Sequence, residues 1–203
     1  MLDGVMRRLI DPPLTETGRV VAGWGISADA VTIAGFVLGL GAAAGVVAGH
    51  DAVACAALIL GRLADGLDGA VARATQRTDR GGFLDIVCDF AFYGLFPLAF
   101  ALRDPAVNAL PAAVLLASFY INGATFLAYA AIAAKRGLET TSRGVKSIYF
   151  TAGLAEGTET VLAFAAMTLL PGHFPLIAYA FAAMTFITAA GRIALAWRAF
   201  GDR

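Results

Sequence analysis

Six apolar runs, each long enough to cross a bilayer as a helix, take up nearly all of this chain: 27–49, 52–72, 83–102, 106–134, 145–170 and 174–197. Mean hydropathy is +0.75 and 59% of residues are apolar, outside the range of an ordinary soluble domain. The expected fold is an all-α integral membrane protein with six transmembrane helices. With no repeat, low-complexity tract or linker, residues 1–203 read as a single membrane domain, 1–25 forming an N-terminal segment and 26–203 the bundle.

Formal charge is zero, but the basic residues are unevenly placed. They cluster before the first run (Arg7, Arg8, Arg19), between the second and third (Arg73, Arg77, Arg80), between the fourth and fifth (Lys135, Arg136, Arg143, Lys146) and at the end (Arg192, Arg198, Arg203). The opposite side holds only Arg103. The positive-inside rule then predicts a multi-pass protein of the cell (inner) membrane with both termini cytoplasmic. Met1 to Gly25 lacks a long apolar core followed by a small-residue cleavage site, so no cleavable signal peptide is expected. Val5, Met6, Leu9 and Ile10, with Arg7 and Arg8 between them, predict a short interfacial helix ended by Pro12-Pro13. Cys55 and Cys88 fall at opposite depths and read as packing residues, not as a disulfide or metal pair.

Against this background four acids stand out. Asp65 and Asp68 lie in the second run, Asp85 and Asp89 in the third. A charge at the centre of a membrane helix costs about 2.5–3.5 kcal/mol, so four in one stretch imply a function. The spacings i, i+3 and i, i+4 place each pair on one helix face. Counting inward at 1.5 Å per residue, Asp68, Asp65, Asp85 and Asp89 lie about 8, 12, 5 and 11 Å deep, in one layer. Carboxylate oxygens suit Mg²⁺ or Mn²⁺, and two such ions can clamp a phosphoryl displacement. Gly69 and Ala72 leave room beside the first pair for a diphosphate, and Arg73 offers a fixed cation to a phosphate.

The string Asp65-x-x-Asp68-Gly69-x-x-Ala72-Arg73, then Gly81-x-x-x-Asp85-x-x-x-Asp89, resembles the signature of the CDP-alcohol phosphotransferases, integral membrane enzymes. Seven residues separate Arg73 from Gly81, a slightly shorter gap than is common in that family. The resemblance implies transfer of a substituted phosphoryl (phosphatidyl) group from a CDP-linked lipid donor to a small alcohol, with release of CMP. It implies two divalent ions held by Asp65, Asp68 and Asp85 with Asp89 sharing coordination, and Asp89 placed to take the proton of the attacking hydroxyl. Thr32 matches a family Thr that approaches the nucleotide, giving Thr32, Gly69, Ala72 and Arg73 as donor-binding residues. The donor implied is CDP-diacylglycerol, since the site lies at headgroup depth. Glycerol phosphate, inositol phosphate, serine and other small alcohols all serve as acceptors in the family, and the choice stays open here. A homodimer with a cytoplasmic site is expected, and no nucleic acid.

In the fifth run Lys146, Tyr149, Gly153, Glu156 and Thr160 follow 3, 4, 3 and 4 residue steps, which is one helical face. With Arg143 and Glu159 it reads as an acceptor pocket, Arg143 and Lys146 facing phosphate, Glu156 and Glu159 facing hydroxyls or an amine. The alternative is an internal ion-pair network. Arg62, at about 16 Å, has the depth to neutralise one of the glutamates. Asp29 reads as an N-terminal cap of the first span. Ser118, Asn122 and Thr125 read as interhelical hydrogen-bonding groups. His50 and His173 lie in outer loops, far from the acids. Two rivals are an intramembrane prenyltransferase, which also binds a diphosphate through aspartates and Mg²⁺, and a cation transporter with an acidic site. Neither needs the Gly69, Ala72 and Arg73 that accompany the acids.

Overall fold

The computed structural model describes residues 3–137 and 153–201. Those residues form α1 (Asp3–Gly23), α2 (Ala28–Val47), α3 (Asp51–Ala74), α4 (Asp79–Arg103), α5 (Pro105–Lys135), α6 (Gly157–Leu169), a 3₁₀ turn (Pro171–His173) and α7 (Phe174–Phe200). Side chains start three of the helices by accepting from an orphan backbone N–H: Ser27 from Ala30 at 3.2 Å, Thr78 from Gly81 at 3.0 Å and Asp104 from Val107 at 3.3 Å. Ser27, not Asp29, therefore caps α2. Asp29 sits in the first turn, where its charge suits the helix dipole, and accepts from Arg80 Nη2 at 2.6 Å.

The structure bears on two aspects of the expected helix plan. The first is α1, which runs through Pro12 and Pro13 to Gly23 instead of ending there. Each interior proline costs a helix about 3 kcal/mol, and docking of the later turns on α3 offsets it. Gly18 approaches α3 so closely that a Cβ there would lie 2.7 Å from that of Ala70, and Val21 packs with Val31 and Val71.

The second is the count of spans. Among the described residues four helices are long and apolar enough to cross a membrane: α2, α4, α5, and the 3₁₀ turn with α7. At 1.5 Å per residue α3 is about 36 Å long, but Asp51, Arg62, Asp65, Asp68 and Arg73 take it outside that apolar class. Of the run 145–170 the described helical part is α6, with 13 residues. Glu156, at φ −118° and ψ −172°, is extended and marks the start of that helix. A continuous helical face through Gly153, Glu156 and Thr160 is thereby ruled out, because residues 153–156 are not helical.

An aromatic core fixes the end of the bundle farther from the acids. Phe96 stacks on Phe164 at 4.7 Å between centroids, and Phe100 on Phe174 at 4.4 Å. Phe92, Leu58, Val46 and Met167 complete this fully buried group. Since Phe92, Phe96 and Phe100 all lie beyond Asp89 on α4, its first three turns are left for polar chemistry. Arg103 donates to both carboxylate oxygens of Asp51 and ties α4 to α3 at the end away from the acids.

Candidate active site

α2 packs on both α3 and α4, while α3 and α4 approach one another through side chains more than through backbone. The close partner is α2. A Cβ at Gly35 would meet Gly61 O at 3.2 Å, and one at Gly61 would meet Gly35 O at 3.1 Å, so both residues must be small for this approach. One turn before Gly35, Thr32 thereby reaches α3, and its hydroxyl donates to Asp68 Oδ2 at 2.5 Å. Both residues are buried, at 7% and 6% exposure, so the bond fixes the carboxylate in a place with little water to replace it.

Across the gap, α4 contributes Asp85. One carboxylate oxygen from each of Asp65, Asp68 and Asp85 lies within 4.8 Å of the other two. Three carboxylates gathered this closely in a half-buried place repel one another strongly, and a hard divalent cation is the partner their oxygens suit. The donor set therefore fits Mg²⁺ or Mn²⁺.

A cavity of about 330 Å³ opens beside the group and is walled by Asp68 and Asp85 themselves. All four expected donor residues, Thr32, Gly69, Ala72 and Arg73, line it. So do Asp29, Gln76, Arg77, Thr78 and Gly81, which were not singled out for donor binding. Arg77 and Arg80 were noted only as charges that orient the bundle. For Gln76 and Thr78 the sequence signal was their place in the turn joining two acid-bearing helices, while Asp29 opens α2 and Gly81 belongs to the signature.

Asp89 stands apart from the three-carboxylate group. Its Oδ1 accepts from Arg62 Nη1 at 2.7 Å, and the same guanidinium nitrogen lies 3.6 Å from Asp65 Oδ1. Arg62 thus pairs with two of the acids, not with Glu156 or Glu159. Its side chain is only 11% exposed, and its guanidinium carbon lies 4.5 Å from the centroid of the Phe92 ring.

The expected acceptor residues divide. Arg143 and Lys146, with Tyr149, lie outside the described residues. Glu156 and Glu159 open α6, and Glu156 Oε1 and Glu159 Oε2 are both buried. Arg192 is a charge near Glu156, and it donates to Asn122 Oδ1 at 2.9 Å and so joins α7 to α5. Arg192 had been read only as a flanking charge, though it stands a full two turns before the end of α7. Ser118 and Thr125 bond to Leu115 O and Asn122 O of their own helix, leaving Asn122 as the interhelical group among the three. Cys55 and Cys88 are free thiols, each half-buried.

A family model described as CDP-alcohol phosphatidyltransferase matches residues 26–197. The inner membrane protein YnjF of Escherichia coli (strain K12) is 42% identical over 193 residues, 95% of this chain and 94% of that protein. An archaetidylinositol phosphate synthase of Pyrococcus horikoshii is 36% identical over 85 residues, 41% of this chain and 45% of its own length. Two crystal structures of phosphatidylinositol phosphate synthase from Mycobacterium tuberculosis share the fold. The one with CDP-DAG bound has a TM-score of 0.74 at 20% identity and covers 94% of this chain and 97% of that one. The other, in complex with manganese and citrate, has a TM-score of 0.72 at 21% identity and covers 94% and 92%.

Proposed function

Because this chain belongs to the CDP-alcohol phosphatidyltransferase family, we propose that it moves a phosphatidyl group from CDP-diacylglycerol to a small alcohol, releasing CMP. The observation that carries the reading is the junction of two features. Two members of the three-carboxylate group suited to divalent metal, Asp68 and Asp85, wall a cavity that Thr32, Gly69, Ala72 and Arg73 also line.

Asp65, Asp68 and Asp85 would hold a divalent ion, and Asp89 would share a second. Bound there, the ions supply positive charge against the diphosphate as CMP departs. The chain's own residues do the rest. Thr32 keeps Asp68 turned toward the group, and Gly69 and Ala72 admit the diphosphate beside α3. Arg73 and Arg77 offer guanidinium groups to the phosphates. Asp89 accepts the proton of the attacking alcohol as its oxygen bonds to the phosphorus that carries the lipid, and the bond from that phosphorus to the oxygen of CMP breaks.

The acceptor is a small alcohol that enters from the side of α6. Glu156 and Glu159 there suit hydroxyls or an amine, whereas Arg192, Arg143 and Lys146 suit a phosphate. By the positive-inside rule, Arg73, Arg77, Arg80 and Arg136 support a cytoplasmic position for this end of the bundle and both termini, and a homodimer is part of the same proposal. Purified protein given CDP-diacylglycerol, Mn²⁺ and a panel of glycerol phosphate, inositol phosphate and serine tests the reading, with CMP and the lipid product both measured. One acceptor should speed CMP release and appear in a phosphodiester lipid. CMP release with none of these products would mean that the lipid is hydrolysed rather than transferred.

A further inference from the structure

Arg62 is the feature of the site that binding a diphosphate through metal does not call for. It comes from α3, three residues before Asp65, and reaches across to Asp89 on α4. We infer that Arg62 is a resident counter-cation for Asp89, so that this chain holds its two divalent ions unequally. On the proposed transferase reading, the Asp65, Asp68 and Asp85 group takes a first ion tightly, while a second that draws on Asp89 binds only in competition with the guanidinium.

Three observations support this. The contact is short: Asp89 Oδ1 accepts from Arg62 Nη1 at 2.7 Å, so that oxygen already has a charged partner. The guanidinium is also held in place, with its side chain 11% exposed and its central carbon over two rings, 4.5 Å from the Phe92 centroid and 5.9 Å from that of Tyr93. Arginine keeps its charge under any condition the protein meets, so it competes with a cation by position and not by losing a proton. Finally, Asp65 Oδ1 lies 3.6 Å from the same nitrogen. A guanidinium displaced from Asp89 still has a carboxylate beside it, so yielding does not strand a buried charge. The competition is therefore reversible. A diphosphate donor, which brings negative charge of its own, favours the second ion and shifts the balance.

The test is Mn²⁺ binding to metal-stripped protein in detergent, with free Mn²⁺ counted by electron paramagnetic resonance and no turnover required. The unmodified chain should bind one ion per chain tightly and a second about 10-fold or more weaker. Arg62→Gln should strengthen the second site by about 10-fold while leaving the first within about threefold, and Arg62→Lys should stay near the unmodified chain. Asp89→Asn should lose the second ion only. Two ions of equal affinity in the unmodified chain overturn the inference without any variant, which covers the case in which Arg62→Gln does not fold. A folded Arg62→Gln with an unchanged second site also overturns it, and makes the pair a tie between α3 and α4. CMP release is scored separately, so its absence alongside stepwise binding would count against the transferase reading alone.

Discussion

Thr32 shows how one hydroxyl bears on the chemistry of the site. Its bond to Asp68 reaches the acids from outside the two helices that carry them, and it is buried on both sides. Thr32→Val keeps the shape and removes the donor, taking one hydrogen bond from a carboxylate that is 6% exposed. Removal of such a partner typically costs a metal site 10–100-fold in affinity, so Mn²⁺ binding should weaken by about 10-fold or more with the fold intact, as titration and circular dichroism would show. Unchanged affinity would mean that the bond does not orient Asp68 toward the ion. At this scale the grouping of the acids was legible in the sequence, because helix spacing fixes which of them share a face, and the four residues that the resemblance named line the cavity beside them. The partner of Arg62 was not. Depth along a helix sets a layer but not a direction around the axis, and two acids on α3 and α4 lie nearer to Arg62 than the glutamates that share its depth.

Among the elements, the approach of α2 to α3 decides whether Thr32 and Asp68 meet at all. Gly35→Leu would drive a branched side chain into Gly61 O and Ala64, which a Cβ alone already meets at 3.2 and 3.1 Å. The expected result is a lower melting temperature together with weaker Mn²⁺ binding. Gly41→Leu on the same helix, where a Cβ meets nothing within 4 Å, should leave both unchanged. Equal behaviour of the two variants would show that close packing of α2 on α3 does not position the site. Helix existence was readable from apolar runs, but helix ends were less so. Pro12 and Pro13 predicted a stop, and α1 continues because contacts from Gly18 and Val21 to α3 outweigh the lost hydrogen bonds. The 3, 4, 3, 4 spacing from Lys146 to Thr160 predicted one face, yet a periodic pattern cannot show that the backbone is extended at Glu156.

For the molecule as a whole, the ends of the bundle differ in charge. Arg136 donates to Phe200 O, which brings the ends of α5 and α7 together on the side of Arg73, Arg77 and Arg80, while Arg103 lies at the other end with Asp51. The proposed orientation puts Cys55 toward the outer face and Cys88 toward the cytoplasm. In intact cells, a membrane-impermeant thiol reagent should label a Cys88→Ser variant, which keeps Cys55, in preference to a Cys55→Ser variant, and the reverse pattern would invert the topology. The span count was only partly legible because the residues that give α3 its chemistry also remove it from the apolar class. The central claim is that the aspartates act by holding metal for a CMP-releasing transfer. Its most direct test follows bound Mn²⁺ and CMP release from CDP-diacylglycerol on the same samples, as metal is returned to stripped protein. In the unmodified chain, CMP release should rise as the sites fill, and in Asp68→Asn and Asp85→Asn both tight binding and release should be lost. CMP release that persists in stripped protein, or in variants that no longer bind the ion, would contradict the account.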